Sequence, residues 1–202
     1  MMRIHYLLLI MIFAFSCRQN SPKRVEPNQL STELRQYFLT KGEKIALESQ
    51  KALMSKVLNA INDEGLPGAV EYCNLHAIPL TDSLALSYGI TLQRLTDQTR
   101  NPLNDITTEE DKEAWTILKE MHSDSSATSK HLLKQVKNDI YYYKPISIVM
   151  PTCLSCHGAK NKDITPDTWN VISKIYPNDK ATGYTLGDMR GMWKIKFSGK
   201  DM

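Results

Sequence analysis

The sequence predicts an α+β domain with an antiparallel sheet, a long N-terminal helix and flanking helices. Two observations support this class. Apolar residues recur at helical spacing in the first half of the chain, whereas alternating, hairpin-joined segments come late. Helices followed by strands, rather than helices and strands in alternation, favour a sheet built from hairpins. The length of 202 residues suits one domain with its own core.

The chain begins with an apolar run, Tyr6 to Phe15, which follows a short basic start. This run is too short to cross a bilayer, which needs roughly 20 residues, but it fits the apolar part of a secretion signal. Small residues then lead into Cys17, an order that resembles lipoprotein signals, in which the cysteine carries the lipid. We expect residues 1–17 to be a lipoprotein-type signal peptide and Cys17 to be the lipidation site. A plain signal peptide or an uncleaved anchor is the alternative.

Residues 18–30 are polar, contain two prolines and predict a flexible tether before a folded domain over residues 31–202. The protein is therefore expected to be exported to the periplasm or cell envelope and held at the membrane by its N-terminal lipid. The formal net charge is only +3 and lysines have acidic neighbours, so no nucleic-acid partner is expected.

Three helices are predicted in the first part of the domain. Ser31 to Glu64 forms a long helix that Gly65 ends. Ala69 to His76 forms a second helix, Pro79 breaks the run, and Thr81 to Tyr88 forms a third. One apolar stripe marks the first helix: Phe38, Ile45, Leu53, Val57 and Ile61.

The remaining elements alternate between strands and short helices. A possible capping box at Thr107 and Glu110 precedes one helix, and Thr165-Pro166 begins another. Lys137-Asn138-Asp139 is a hairpin signal between two strands. The predicted strands are Ile90–Leu95, Leu132–Val136, Ile140–Met150 and Met192–Phe197, with Gly183–Gly191 predicted as loop.

The segment Cys153-Leu154-Ser155-Cys156-His157 is a C-x-x-C-H run, the attachment signature of c-type haem. Two thiols add to the two vinyl groups of haem, and the next histidine supplies a nitrogen to the iron. Because all three residues serve one cofactor, we predict one covalent haem c bound through Cys153 and Cys156, with His157 as iron ligand.

Three alternatives to haem attachment exist for this run: a redox-active disulfide, a zinc site and a chance occurrence of the motif. A redox-active disulfide does not require His157. A zinc site would need a second pair of ligands at matching spacing, and the sequence has no second C-x-x-C. The export signal favours haem, since it places the chain where c-type haem is attached.

Cys73 is the cysteine that these assignments leave without a role among the four in the chain. It shares a helix face with Val70 and Ala77, so it points toward a core or a pocket. A leftover cysteine in an exported protein is a reactive thiol, a ligand or a buried side chain, and counting alone favours the buried side chain.

Several segments together resemble a family of single-haem c-type cytochrome domains whose fold is like that of Per-Arnt-Sim sensor domains. The likeness covers nearly everything after the tether, in the same order. It rests on Gly68–Cys73, Arg100–Asn104, Tyr143–Ile146, Cys153–Gly158, Tyr176–Tyr184 and Gly187–Gly191.

The resemblance implies a PAS-like sheet and an iron held by His157 on one side and Cys73 on the other. Alternative distal ligands are His76, His122, His131, Met150 and Met189, with His76 the strongest because it shares the helix of Cys73. Candidates to pair with the haem propionates are Arg94, Arg100 and Arg190.

An iron with two protein ligands favours redox or electron-transfer work, with an unidentified redox partner. The alternative is a redox or gas sensor that acts through a separate signalling protein. A peroxidase-like enzyme would need an open iron position and a distal acid–base pair, so no enzymatic activity is expected. The fold likeness alone cannot choose among these functions.

Overall fold

The computed structural model describes residues 30–127 and 130–198. The predicted signal peptide, Cys17 and the predicted tether up to residue 29 lie outside the described residues. Within the described ranges, no helix is both long enough and apolar enough to cross a membrane.

Helix α1 (Thr32–Tyr88) is capped by Ser31, whose hydroxyl accepts the backbone N–H of Leu34 at 3.2 Å. Gly65 interrupts it with φ 73° and ψ −176°, a conformation that essentially only glycine adopts. The predicted helix end at Gly65 is therefore a kink, and the chain resumes its helix at once.

The predicted break at Pro79 is wrong, because α1 continues through it to Tyr88. A proline costs the helix one hydrogen bond, to the carbonyl four residues earlier. That carbonyl belongs to Leu75, whose residue is 64% exposed, so water can satisfy it. The helix ends as predicted before Gly89, which adopts the left-handed conformation with φ 66°.

Four antiparallel strands form one sheet in the order β1-β4-β3-β2. The prediction of an α+β domain with an antiparallel sheet is confirmed. The strands are β1 (Thr91–Leu95), β2 (Leu132–Val136), β3 (Asp139–Ser147) and β4 (Met189–Phe197).

Two strand boundaries differ by three residues from those predicted, and the starts of β1 and β3 differ by one. Strand β4 begins three residues early and includes Gly191, which pairs with Ile146. A Cβ on Gly191 would lie 2.9 Å from the carbonyl oxygen of Leu95, so glycine allows the close approach of β1. Strand β3 ends three residues early, at Ser147, after a register irregularity.

The short helices are a 3-10 turn (Pro102–Asn104), α2 (Glu109–Ser123), α3 (Pro151–His157) and α4 (Pro166–Ile175). Helix α2 is capped by Thr108, one residue later than predicted. Thr165 caps α4 as predicted.

The sheet is covered on both faces, by α1 on one and α2 on the other. Consecutive residues of β3 serve the two cores, with Tyr142 against α1 and Tyr143 against α2, as alternating packing requires. A third, smaller cluster joins Val70 of α1 to Ile164 and Ile172 near α4, with Cys156 packed against it. This third cluster lies where the C-x-x-C-H segment meets the second half of α1.

Candidate functional site

A single open cleft brings together the cysteines and the histidine of the predicted site. Cys73, Cys153, Cys156 and His157 all line it. The cleft holds about 1390 Å³ of space outside protein atoms, including its open mouth. Its walls come from both halves of α1, from β1, from α3 and from the start of β4.

Helix α3 presents the C-x-x-C-H residues to this cleft. Pro151 occupies its first turn, and the segment from Cys153 to His157 then makes just over one helical turn. Gly158 follows, and a Cβ there would lie 2.6 Å from Cβ of Asp163. The Asp163 carboxylate accepts the backbone N–H of Ala159 at 2.8 Å, so a glycine is needed for the chain to turn back at this point.

The imidazole of His157 is oriented by its backbone surroundings. Its Nδ1 lies 2.8 Å from the carbonyl oxygen of Ala181, which can only accept, so Nδ1 carries the proton. Burial, with the charges of Arg190 and Arg100, holds the pKa of His157 well below its usual value. The ring is therefore neutral, and its Nε2 keeps a lone pair for a metal.

Cys73 reaches the same cleft from the second half of α1, after the Gly65 kink. It is a free thiol, like Cys153 and Cys156. Burial raises the pKa of Cys73, opposed by the positive charges of Arg94 and Arg100. These two arginines thus favour the thiolate in a site that otherwise disfavours it.

None of the alternative distal ligands lines this cleft. His76 is exposed and packs against Tyr72, with ring centroids 4.5 Å apart and the ring planes tilted by 37°. His122 lies at a different surface, where its Nε2 is 2.7 Å from the carbonyl oxygen of Gly187. The residues outside the cleft are His76, His122, His131, Met150 and Met189.

The three predicted propionate-binding arginines all line the cleft but differ in the partners that they already contact. Arg100 forms an ion pair with Asp179 at 2.9 Å. Arg190 donates through Nη1 to the hydroxyl of Thr96 at 3.1 Å, among other contacts. Arg94 lies 6.0 Å from the ring centroid of Trp193, and its shielded Nε has no hydrogen-bond partner among the described residues.

Sequence reasoning missed several residues of the cleft wall. Met54, on the first half of α1, is the most important of them, because its thioether is a possible iron ligand. Its helical spacing predicts only a core residue, so nothing local marks it as part of a site. Other unpredicted wall residues are Gln50, Asn101, Asn104, Ile146 and Tyr176.

The chain is similar to a known protein family and to a solved structure of the same fold. Residues 16–198 match the profile of the Tll0287-like family. Among solved structures, the chain is similar to the crystal structure of the cyanobacterial heme-protein Tll0287, with a TM-score of 0.58 and 21% sequence identity. The similarity covers 84% of this chain and 97% of that one, and it shows a shared fold. Among curated proteins there is no significant match.

Proposed function

The chain belongs to the Tll0287-like family, and from this premise we propose that it carries one covalently attached haem c and works in electron transfer. Cys153 and Cys156 form the thioether bonds in this proposal. His157 and Cys73 would hold the haem iron. The solved relative is described as a heme-protein, which supports the cofactor class.

The observation that carries the proposal is the shared cleft of Cys73 and the C-x-x-C-H segment. Cys73 belongs to α1 and His157 to α3, so only the fold brings the two side chains to one cavity. A haem iron can accept up to two ligands from the protein, because the porphyrin supplies four of its six. The described residues contain no group of three or more His, Cys, Asp or Glu side chains placed to hold a bare metal ion.

The chemistry of the cleft wall fits a haem. The macrocycle is apolar, and the wall exposes aliphatic side chains from α1 and β3, among them Leu53, Val57 and Ile146. Haem also carries two carboxylates. Arg94 supplies a guanidinium whose Nε has no partner in the part of the chain that the structure describes, and a propionate would satisfy it.

The chain's own residues prepare the two iron ligands differently. His157 is held neutral, with Nδ1–H donated to Ala181 and Nε2 left for the iron. Cys73 must lose a proton to bind as thiolate, and Arg94 and Arg100 favour that loss. A thiolate ligand gives electron density to iron and so stabilises its oxidised state.

Two strong protein ligands leave no open iron position, which favours electron transfer over catalysis at the metal. A potential below that of a His/Met cytochrome follows from the thiolate. Lipidation at Cys17 would tether the protein at the cell envelope, with residues 18–30 as the spacer. Its protein partner would then be another redox component of the envelope.

The test is intact-mass spectrometry of the protein from cells that attach c-type haem. The wild type is expected to gain the mass of one haem under denaturing conditions. Replacing both Cys153 and Cys156 by alanine should abolish that gain. The matched control, Cys73→Ala, should keep it, because Cys73 forms no thioether bond. A wild type without covalent haem would refute the proposal.

A further inference from the structure

We propose that Arg100 is a positioning residue for His157, acting through its ion pair with Asp179 and through two backbone carbonyls. This inference rests on the proposed function, in which His157 binds the iron. Arg100 itself is then not the partner of a haem propionate.

Arg100 reaches acceptor atoms of three residues from one guanidinium. Its Nε lies 2.9 Å from Oδ1 of Asp179, and its Nη2 lies 3.4 Å from Oδ2 of the same carboxylate. The same Nη2 donates to the carbonyl oxygen of Cys156 at 2.6 Å and approaches that of Ala181 at 3.5 Å. A planar guanidinium suits this set because it presents several N–H groups in fixed directions.

These acceptors belong to the two chain segments that hold His157. Cys156 immediately precedes it in α3. Ala181 supplies the carbonyl that accepts Nδ1–H of His157 at 2.8 Å. Asp179 also accepts the backbone N–H of Ala181 at 3.2 Å, so the carboxylate fixes the loop that presents this carbonyl.

The same loop is attached to α3 by backbone hydrogen bonds. The N–H of Tyr184 donates to the carbonyl oxygen of His157 at 3.0 Å, and that of Gly183 donates to Gly158 at 2.8 Å. Arg100 therefore adds a second connection between α3 and this loop, the two segments that hold the imidazole. Without it, the loop keeps these two bonds but loses the contacts at Asp179 and Ala181.

The ion pair between Arg100 and Asp179 is largely buried, which makes this connection rigid. The side chain of Asp179 is 1% exposed and that of Arg100 is 13% exposed. A buried ion pair of this kind is poorly screened, and removing one partner leaves an uncompensated charge. Arg190 also approaches the ring, with Nε 3.4 Å from Nδ1 of His157, but its Nη1 donates to Thr96 and to the carbonyl of Gln98. It therefore does not join Cys156, Asp179 and Ala181 as Arg100 does.

The test compares three variants with the wild type. Arg100→Gln removes the charge and most of the contacts. Arg100→Lys keeps a cation beside Asp179 but cannot span Asp179 and Cys156 together. Lys194→Gln is the matched control, since Lys194 forms a similarly buried pair with Asp111 that is 14% and 4% exposed and lies outside the cleft.

The readout is the solvent-exchange rate of the His157 Nδ1 proton, measured by NMR on the full chain as isolated, with haem content determined on the same sample. We expect exchange at least tenfold faster in Arg100→Gln and Arg100→Lys, and a wild-type rate in Lys194→Gln. If Arg100→Gln does not fold, the lysine variant decides, because it keeps the ion pair.

A wild-type exchange rate in Arg100→Lys would overturn the inference, since the ion pair alone would then suffice. Equal acceleration in Lys194→Gln would also overturn it, since the effect would then be general destabilisation. A wild type without haem would refute the proposed function, while the exchange rates would still decide the role of Arg100.

Discussion

His157 and Ala181 are joined by a hydrogen bond of 2.8 Å between the imidazole Nδ1 and the backbone carbonyl oxygen. This bond decides which nitrogen of the ring carries the proton. The other nitrogen, Nε2, is then the only one that can bind iron. The fold itself thus sets the orientation of the proposed ligand.

Replacing Cys73, the second iron ligand in the proposal, should change the reduction potential. We expect Cys73→Met to raise the midpoint potential by on the order of 0.1–0.3 V, because a thioether stabilises oxidised iron less than a thiolate does. A spectroelectrochemical titration measures this. Met54→Leu is the control, because Met54 lines the same cleft, and it should leave the potential near that of the wild type. A larger shift in Met54→Leu than in Cys73→Met would contradict the assignment.

Among the described residues, Nε of Arg94 has no hydrogen-bond partner, so a carboxylate bound beside it should add to the stability of the protein. Arg94→Leu removes a charge-assisted hydrogen bond of about 1.5–3 kcal/mol from the haem-loaded protein. We expect its thermal midpoint to fall by about 3–12 °C. Arg94→Lys keeps the charge and should lose less. Calorimetry that finds Arg94→Leu as stable as the wild type would exclude a propionate at this arginine.

The kink in α1 should be sensitive to any side chain at Gly65. Its φ of 73° and ψ of −176° are strained for every other residue, at about 1–3 kcal/mol. Gly65→Ala should therefore destabilise the protein and also alter its haem spectrum, because the kink sets the position of Cys73. Gly89→Ala is a matched control with φ 66° at the end of the same helix. It should destabilise the protein and leave the spectrum unchanged.

Some elements of this protein can be predicted from a few neighbouring residues, whereas others cannot. The C-x-x-C-H run and the cap at Thr165 are local, so a few adjacent residues suffice to predict the candidate haem-attachment residues and the start of α4. Pro79 and Gly191 were misread because their usual local preferences are overridden here, by an exposed helix face and by close strand packing.

Residues of the site that depend on distant contacts were harder to predict. The ion pair between Arg100 and Asp179 joins positions 79 residues apart. No local pattern reveals that pairing, so all three arginines looked equivalent as propionate partners. The place of Cys73 in the site likewise came from a family resemblance, because its spacing alone is that of a buried thiol.

At alkaline pH, the folding stability of the polypeptide without haem should fall in a way that the haem-bearing protein does not share. Burial raises the pKa of the Cys156 thiol from an ordinary 9.0 to about 11 in the folded chain. The unfolded thiol ionises first, so this contribution to stability is complete below pH 9 and is lost as the pH rises through about 11. The loss is up to about 3 kcal/mol.

Chemical denaturation between pH 8 and 11 measures this loss in the polypeptide without haem. Cys156→Ala is the control, and it should lose less stability over that interval, while buried tyrosines such as Tyr142 and Tyr143 affect both proteins equally. In the haem-bearing protein the sulfur is a thioether and cannot titrate. Identical pH dependence in the control would contradict the burial of this thiol.

The most direct test of the His157–Cys73 ligand pair is the absorption spectrum of the oxidised and reduced protein, recorded for the wild type, Cys73→Ala and His76→Ala. We predict a low-spin spectrum with thiolate character in the oxidised wild type and in His76→Ala. Cys73→Ala should lose that character and bind carbon monoxide readily when reduced, because one iron position is then open. An unchanged spectrum in Cys73→Ala would contradict the assignment of Cys73 as the distal ligand.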